Sequence, residues 1–364
     1  HGEVSLADTI VKLANDYVGS NNINLLEPCG QFGTRLMGGK DASQTRYIFT
    51  KLTKDARKIY DPRDDAILDY LDDDGHPIEP DFYMPTLPMV LVNGTEGIGT
   101  GFSCYVPPFN PEDIKANIKR ILTGEDIVPM RPWFRGFKGV VHKEEDTWMM
   151  EGVWNWSGSN IVVTELPPGR WTQDYKEYLD TLVEKKLIGG YTNNSTTEDV
   201  HFEIIDYTGK DLLKDLKLRK TFRVSNMHLF HPTKGIHKYT SPEEILEDFV
   251  ELRLDHYKKR KAHLIDVLEK RAVMCDHKSK FVSMVIEGEL VVFKRKKVEL
   301  EEEMSPIFPK IDGNWDYLLN TKTVEYTEER VRALMDEAKQ AKEDLEKMMK
   351  TSHVTMWKTD IKNM

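Results

Sequence analysis

Arg46 and Tyr47 stand side by side at the end of a basic, glycine-containing stretch, Gly38-Gly39-Lys40-Asp41-Ala42-Ser43-Gln44-Thr45-Arg46-Tyr47. A free phenol has a pKa of about 10 and is a poor nucleophile near neutrality. A guanidinium beside a phenol favours the phenolate, and its planar fork can hold a phosphate through two hydrogen bonds. Tyr47 with Arg46 therefore has the makings of a covalent nucleophile acting on a phosphodiester. Arginine–tyrosine dipeptides are common, and most are a surface charge next to a half-buried ring. The pair needs support from the rest of the chain.

Other groups that could do chemistry fit less well. Asp72-Asp73-Asp74 invites a magnesium or calcium reading. The three acids are adjacent rather than alternating, and Gly75-His76-Pro77 marks a turn, so a solvated acidic turn is expected. His228, His231 and His237 lack cysteine or carboxylate partners at metal spacing. Cys29, Cys104 and Cys275 are far apart and odd in number, which points to a reducing compartment without a disulfide framework or zinc knuckle. No metal site is expected in this segment. Ile98 lies between Gly97 and Gly99 at a turn. Local sequence leaves two readings open: an aliphatic wedge of the kind that kinks DNA, or a side chain packed inward.

With 364 residues the chain has room for two or three domains. No apolar run is long enough to span a bilayer, and no membrane partner is expected. The net charge of -10 argues superficially against nucleic acid. The acid is concentrated, however, around residues 61–81 and 299–303, whereas 12–58 is mildly basic. Local sign matters more than the total for DNA contact.

Several elements must position these residues. A packed amphipathic helix is expected from a Ser5 N-cap to Gly19, followed by a short strand at 23–26 and the glycine-rich loop. That order suits a winged-helix unit. Asp61-Pro62 starts a short helix to Tyr70, and a buried apolar strand precedes Ile98. Asn110-Pro111-Glu112 opens a helix; strands follow at 139–142, 148–156 and 161–165, then a helix at 175–187 and a strand at 200–206. Ser241-Pro242-Glu243-Glu244 opens a long helix that ends near Gly288 and could reach roughly 60 to 70 Å. Thr327 caps a second helix with the seam Val331, Leu334, Ala338, Ala341, Leu345 and Met348. Two such helices joined by a small lobe with Trp315, Tyr317 and Leu318 read as an antiparallel coiled-coil arm with a dimerisation contact at its far end. The fold class is α+β multidomain, and His1 is expected to lie near a truncation point in a larger protein.

The chain resembles the DNA-breakage region of type IIA DNA topoisomerases, most closely the eukaryotic-type enzymes and their large-DNA-virus relatives. The resemblance is carried by His1-Gly2-Glu3, Gly30-Gln31-Phe32-Gly33-Thr34-Arg35, Gly39-Lys40-Asp41-Ala42 with Arg46-Tyr47, residues 93–101, and Pro132-Trp133-Phe134-Arg135-Gly136-Phe137. It implies a winged-helix portion over 1–85, a mixed α/β tower domain over 86–240, and a coiled-coil arm with a helical dimerisation lobe over 241–364. It further implies that Tyr47 attacks DNA and becomes joined to a 5′ phosphate, with Arg46 and His1 at the same phosphate. Lys40, Arg35 and Gln31 would contact DNA, and Ile98 would intercalate to bend it. Magnesium, on Toprim acids, and ATP, on an ATPase module, would both be bound outside this segment. The implied partners are double-stranded DNA and a second copy of the chain, and the implied location is the nucleus or a cytoplasmic viral replication site. Phe102 stands where the family often has tryptophan. The rival reading is a non-enzymatic DNA-binding scaffold with coiled-coil dimerisation.

Overall fold

The structure, a computed structural model, describes residues 2–231 and 233–364. These gather into two compact units: residues up to 62 with 70–253 and 360–364, and residues 63–69 with 254–359.

In the first unit, α1 runs Gly2–Ala14, so Ser5 lies inside the helix and does not cap it. The helix stops well short of Gly19 because Asn21 Nδ2 donates to the carbonyls of Lys12 (2.7 Å) and Asn15 (2.9 Å). A side chain from beyond the helix thus satisfies carbonyls its last turn leaves open. Nor is α1 packed as its periodicity suggests: Val4 and Leu6 are exposed and only Ala14 is buried. Residues 25–29 then pair antiparallel with 49–53, through Thr53 N to Leu25 O, Glu27 N to Lys51 O and Cys29 N to Phe49 O at 2.9–3.1 Å. The glycine-rich loop closes between these two segments.

Short α2 (Ala56–Ile59) and a 3-10 turn at Pro62–Ile67 follow; the latter replaces the expected α-helix to Tyr70. Strands β1 (Tyr70–Asp73) and β2 (His76–Pro80) form a hairpin around Asp74-Gly75. The expected buried strand before Ile98 is instead α3 (Met89–Val92), whose Leu91 and Val92 are fully buried. β3 (Thr95–Ile98) and β4 (Ser103–Val106) then form a second hairpin. Helix α4 (Pro111–Thr123) begins as read: Asn110 accepts from Glu112 N at 3.0 Å, Pro111 occupies the first position, and Gly124 ends it at φ 75°.

β5 (Val140–Glu144), β6 (Thr147–Glu151), β7 (Val153–Ser157) and β8 (Asn160–Glu165) are successive strands, with β5 antiparallel to β6 and β7 antiparallel to β8. The expected single strand at 148–156 is interrupted at Gly152, where a Cβ would lie 2.2 Å from Glu165 O. After α5 (Thr172–Glu184) come β9 (Gly190–Asn193), β10 (Phe202–Ile205), α6 (Leu212–Asp215) and β11 (Arg219–Phe222). Two sheets result, ordered β7-β8-β10-β9 and β11-β6-β5. Ile161, Val163, Phe202 and Ile204 pack against Tyr175, Leu179 and Leu182 of α5 to form this region's core. The hairpin β12 (Met227–His231) and β13 (Gly235–Tyr239) leads into α7 (Pro242–Ile286), where Glu244 N donates to the capping Ser241 Oγ at 3.2 Å.

With 45 residues, α7 is about 68 Å long and continues into the second unit. There α8 (Lys297–Met304), α9 (Asp316–Leu319), α10 (Glu328–Lys350) and most of α11 (His353–Lys362) accompany it. α10 runs antiparallel to α7: Lys261 Nζ reaches Met349 O at 3.1 Å, and Lys342 reaches Asp276 at 2.5 Å. Of the expected seam, Leu334, Ala338 and Ala341 are buried. A small core of Phe281, Leu300, Met304, Phe308, Trp315 and Leu318 fills the lobe, with Trp315 Nε1 donating to Phe308 O at 2.8 Å. Near the other end, Arg260 Nε donates to Asp64 at 2.6 Å, and Tyr257 stacks on Trp357 with ring centres 5.5 Å apart. Among the described residues no helix is long and apolar enough to cross a membrane.

Candidate functional site

Tyr47 ends a single 3-10 turn, Thr45–Tyr47, closed by Tyr47 N donating to Gln44 O at 2.9 Å. The paired segment at 49–53 begins two residues later, so the ring stands at the mouth of the loop on a braced backbone. It is 65% exposed, which leaves the phenol open to a large substrate. The guanidinium carbon of Arg46 lies 4.8 Å from the ring centre, a cation–π contact. Among the described residues no carboxylate lies within ion-pair distance of Arg46. Its charge therefore remains available to an anion.

The loop before Tyr47 is held by Asp41, which accepts from Thr34 N at 2.8 Å and from Thr34 Oγ1 at 2.5 Å. Gly33 has φ 104°, and a Cβ there would come within 2.6 Å of Gly39 Cα. Gly38, at φ 61°, lies against the Trp171 ring, where a Cβ would clash at 2.3 Å. These two glycines permit backbone to approach backbone and ring so closely. Lys40 is exposed and sits 4.0 Å from Asp174 in a surface pair that costs little to break. Gln31 is also exposed, and its carbonyl accepts from Ser43 N at 2.9 Å. Lys12, Lys40 and Arg46 line a cleft of about 800 Å³ between α1 and this loop, with Glu3 and Asp8 on the helix side. Tyr17 lines the same cleft, but burial pushes its phenol up, with Asp41 adding to the shift. Of the two phenols near the basic loop, Tyr47 is the accessible one.

Arg35 differs from the expectation. Its side chain is 5% exposed, paired with the buried carboxylate of Glu165, and donates to Leu166 O at 3.2 Å. A guanidinium committed in this way fastens the loop to β8. His1 lies outside the described residues.

Ile98 is 92% exposed at the tip of the β3–β4 hairpin, so the inward-packing reading falls. Gly99 N donates to Phe102 O at 2.9 Å and closes the tip, leaving no core for the isoleucine to fill. Sequence reasoning missed Asp41 as the clamp of the loop. It also missed Asn22, which donates to the carbonyls of Val92, Phe109 and Trp133 at 2.9–3.2 Å and accepts from Arg135 N. No sequence signal marks Asn22, because its partners are 70 to 113 residues away.

Among the described residues no group of three or more His, Cys, Asp or Glu could hold a metal ion. Asp72 instead accepts from Gly75 N at 2.9 Å within the β1–β2 turn.

The chain matches the A-subunit family model of DNA gyrase/topoisomerase IV over residues 1–362, and it belongs to that family. It is 44% identical to DNA topoisomerase 2 of Pisum sativum over 320 residues, which is 84% of this chain and 22% of the relative. With DNA topoisomerase 2 of Plasmodium falciparum the identity is 40% over 408 residues, 99% of this chain and 29% of the relative. The chain thus spans under a third of the length of these relatives. It also superimposes on the crystal structure of the Plasmodium falciparum topoisomerase II DNA-binding, cleavage and re-ligation domain, with a TM-score of 0.91 and 40% identity. That match covers all of this chain and 55% of the solved one.

Proposed function

We propose that this chain is the DNA cleavage and religation region of a type II DNA topoisomerase, with Tyr47 as its nucleophile. The observation that carries the proposal is an exposed tyrosine on a braced turn, with a guanidinium 4.8 Å from its ring centre that no carboxylate among the described residues neutralises. Tyr47 Oη attacks a backbone phosphorus and forms a 5′-phosphotyrosyl ester, while the 3′ oxygen of the neighbouring nucleotide leaves. One phosphate ester replaces another, so the reverse step needs no outside energy. Phosphoryl transfer depends chiefly on positioning and charge neutralisation. Arg46 would swing from the ring face to the phosphate, and Lys40 and Gln31 would hold the flanking backbone. Ile98 would enter the duplex between base steps and bend it.

The functional parts are a winged-helix portion over 1–85, a tower over 86–240 and a coiled-coil arm with a dimerisation lobe over 241–364. A second copy would supply the tyrosine for the opposite strand. Exposed Phe293 and Val298 beside the small helical core support the lobe as the place where two copies meet. Magnesium and ATP belong to the longer enzyme, and no step here is assigned to residues that would bind them.

The test is Tyr47→Phe in the longer protein, incubated with DNA and magnesium and quenched with detergent. No covalent protein–DNA adduct is expected. Adduct at the parent level would move the nucleophile elsewhere and favour a scaffold role for this tyrosine.

A further inference from the structure

The hairpin that presents Ile98 has little core of its own: β3 is exposed along its length, and only Val106 is buried in β4. An isolated two-stranded hairpin is marginal in water, yet a wedge that unstacks bases must resist being pushed back. The support comes from β12 and the residue just before it, over a hundred residues later. Asn226 Nδ2 donates to Ser103 Oγ at 2.9 Å, and the His228 ring stacks on Phe102 with centres 5.7 Å apart and planes at 21°. His228 Nδ1 lies 3.2 Å from Ser103 O and 3.3 Å from Asn226 O. Carbonyl oxygens only accept, so Nδ1 carries the proton and donates toward both. Ser103 is the residue paired directly across the hairpin from Ile98.

We propose that His228 is the positioning residue of the Ile98 wedge. Together with Asn226 it grips the residue opposite the isoleucine and sets the angle at which that side chain meets the duplex. The inference rests on the reading of Ile98 as a wedge. It also gives a role to one of three histidines whose spacing suits no metal.

The test measures bending of an end-labelled duplex by fluorescence energy transfer with this 364-residue chain. The variants are Ile98→Ala, His228→Ala, His228→Phe, Asn226→Ala, and His228→Ala combined with Ile98→Ala. The His228→Ala change should lower the ratio of bent to unbent complex about fivefold to tenfold, the worth of a hydrogen bond and a ring stack. His228→Phe keeps a ring against Phe102 and should fall between it and the parent. In the Ile98→Ala background, His228→Ala should have no further effect on bending. Should His228→Ala melt early, His228→Phe and Asn226→Ala carry the comparison. Parent-like bending by these variants while Ile98→Ala fails to bend would overturn the strut and leave the wedge standing. An undiminished His228 effect in the Ile98→Ala background would also overturn it. If Ile98→Ala bends DNA as the parent does, the wedge reading fails and the strut with it.

Discussion

Arg35 and Glu165 are 130 residues apart in the chain and meet as a buried ion pair. Glu165 is further held by the amides of Lys138 and Leu166, each at 3.0 Å. Removing the guanidinium leaves a buried carboxylate with only those two amides. Arg35→Ala should therefore cost about 3 kcal/mol of stability, as breaking a buried pair commonly does. Urea unfolding checks this; a loss under about 1 kcal/mol would mean that water or a rearranged neighbour replaces the arginine. Arg35→Met combined with Glu165→Leu should recover much of the loss.

Arg46 is exposed and contacts the face of the neighbouring ring, so its loss should hardly touch folding. Arg46→Ala in the longer protein should slow single-turnover cleavage by about 10² to 10³. Lysine should restore only part of the rate, because an ammonium cannot offer the two-pronged grip of a guanidinium. Full rescue by Arg46→Lys would show that simple charge suffices.

Binding of duplex DNA by the chain should weaken steeply with salt. Each phosphate contact contributes about 0.9 to the slope of log K against log salt concentration. Lys40→Ala should lower that slope by about one unit, whereas Arg35→Ala, once allowance is made for its lower stability, should leave it unchanged. Fluorescence anisotropy across a salt series separates the two, and equal slopes for Lys40→Ala and the parent would remove Lys40 from the interface.

His277 should make the second unit sensitive to mild acid. Burial lowers its pKa from the ordinary 6.5, and Lys280 reinforces the shift while Asp276 opposes it. The ring lies near Phe308 and Tyr317, with Nδ1 3.3 Å from the Tyr317 hydroxyl. The folded state therefore prefers the neutral ring, and the unfolded chain takes up a proton first as pH falls. Stability from this group is present above the ordinary histidine pKa and is lost as pH drops through the lower folded value. His353 is shifted in the same direction, by burial first and then by Lys258 and Lys261. Melting followed between about pH 7 and about pH 5 should show the midpoint falling, less steeply in His277→Gln. An unchanged slope in that variant would exclude His277 as a source.

Three helix starts were legible, each where cap and helix are neighbours. Asn110-Pro111 opens α4, Ser241-Pro242 opens α7 and Thr327 caps α10, because a cap bonds to an amide two or three residues away. The end of α1 was not legible, since its last carbonyls are met by Asn21 from beyond a turn. Likewise, the apolar run before Ile98 fits a strand or a helix by composition, and its surroundings select α3.

The chain alone determined which residues could do chemistry: a tyrosine beside an arginine, a basic loop, and an isoleucine between glycines. Those are properties of residue type and close spacing. Which of the candidates face outward was decided only in three dimensions. Tyr47 and Ile98 stand in the open, and the hairpin that carries Ile98 is held from across the fold by His228. Arg35, as basic as its neighbours in sequence, is turned inward by a glutamate on a distant strand. Burial depends on partners that local spacing cannot reveal, so only the folded chain shows that this arginine is held inside.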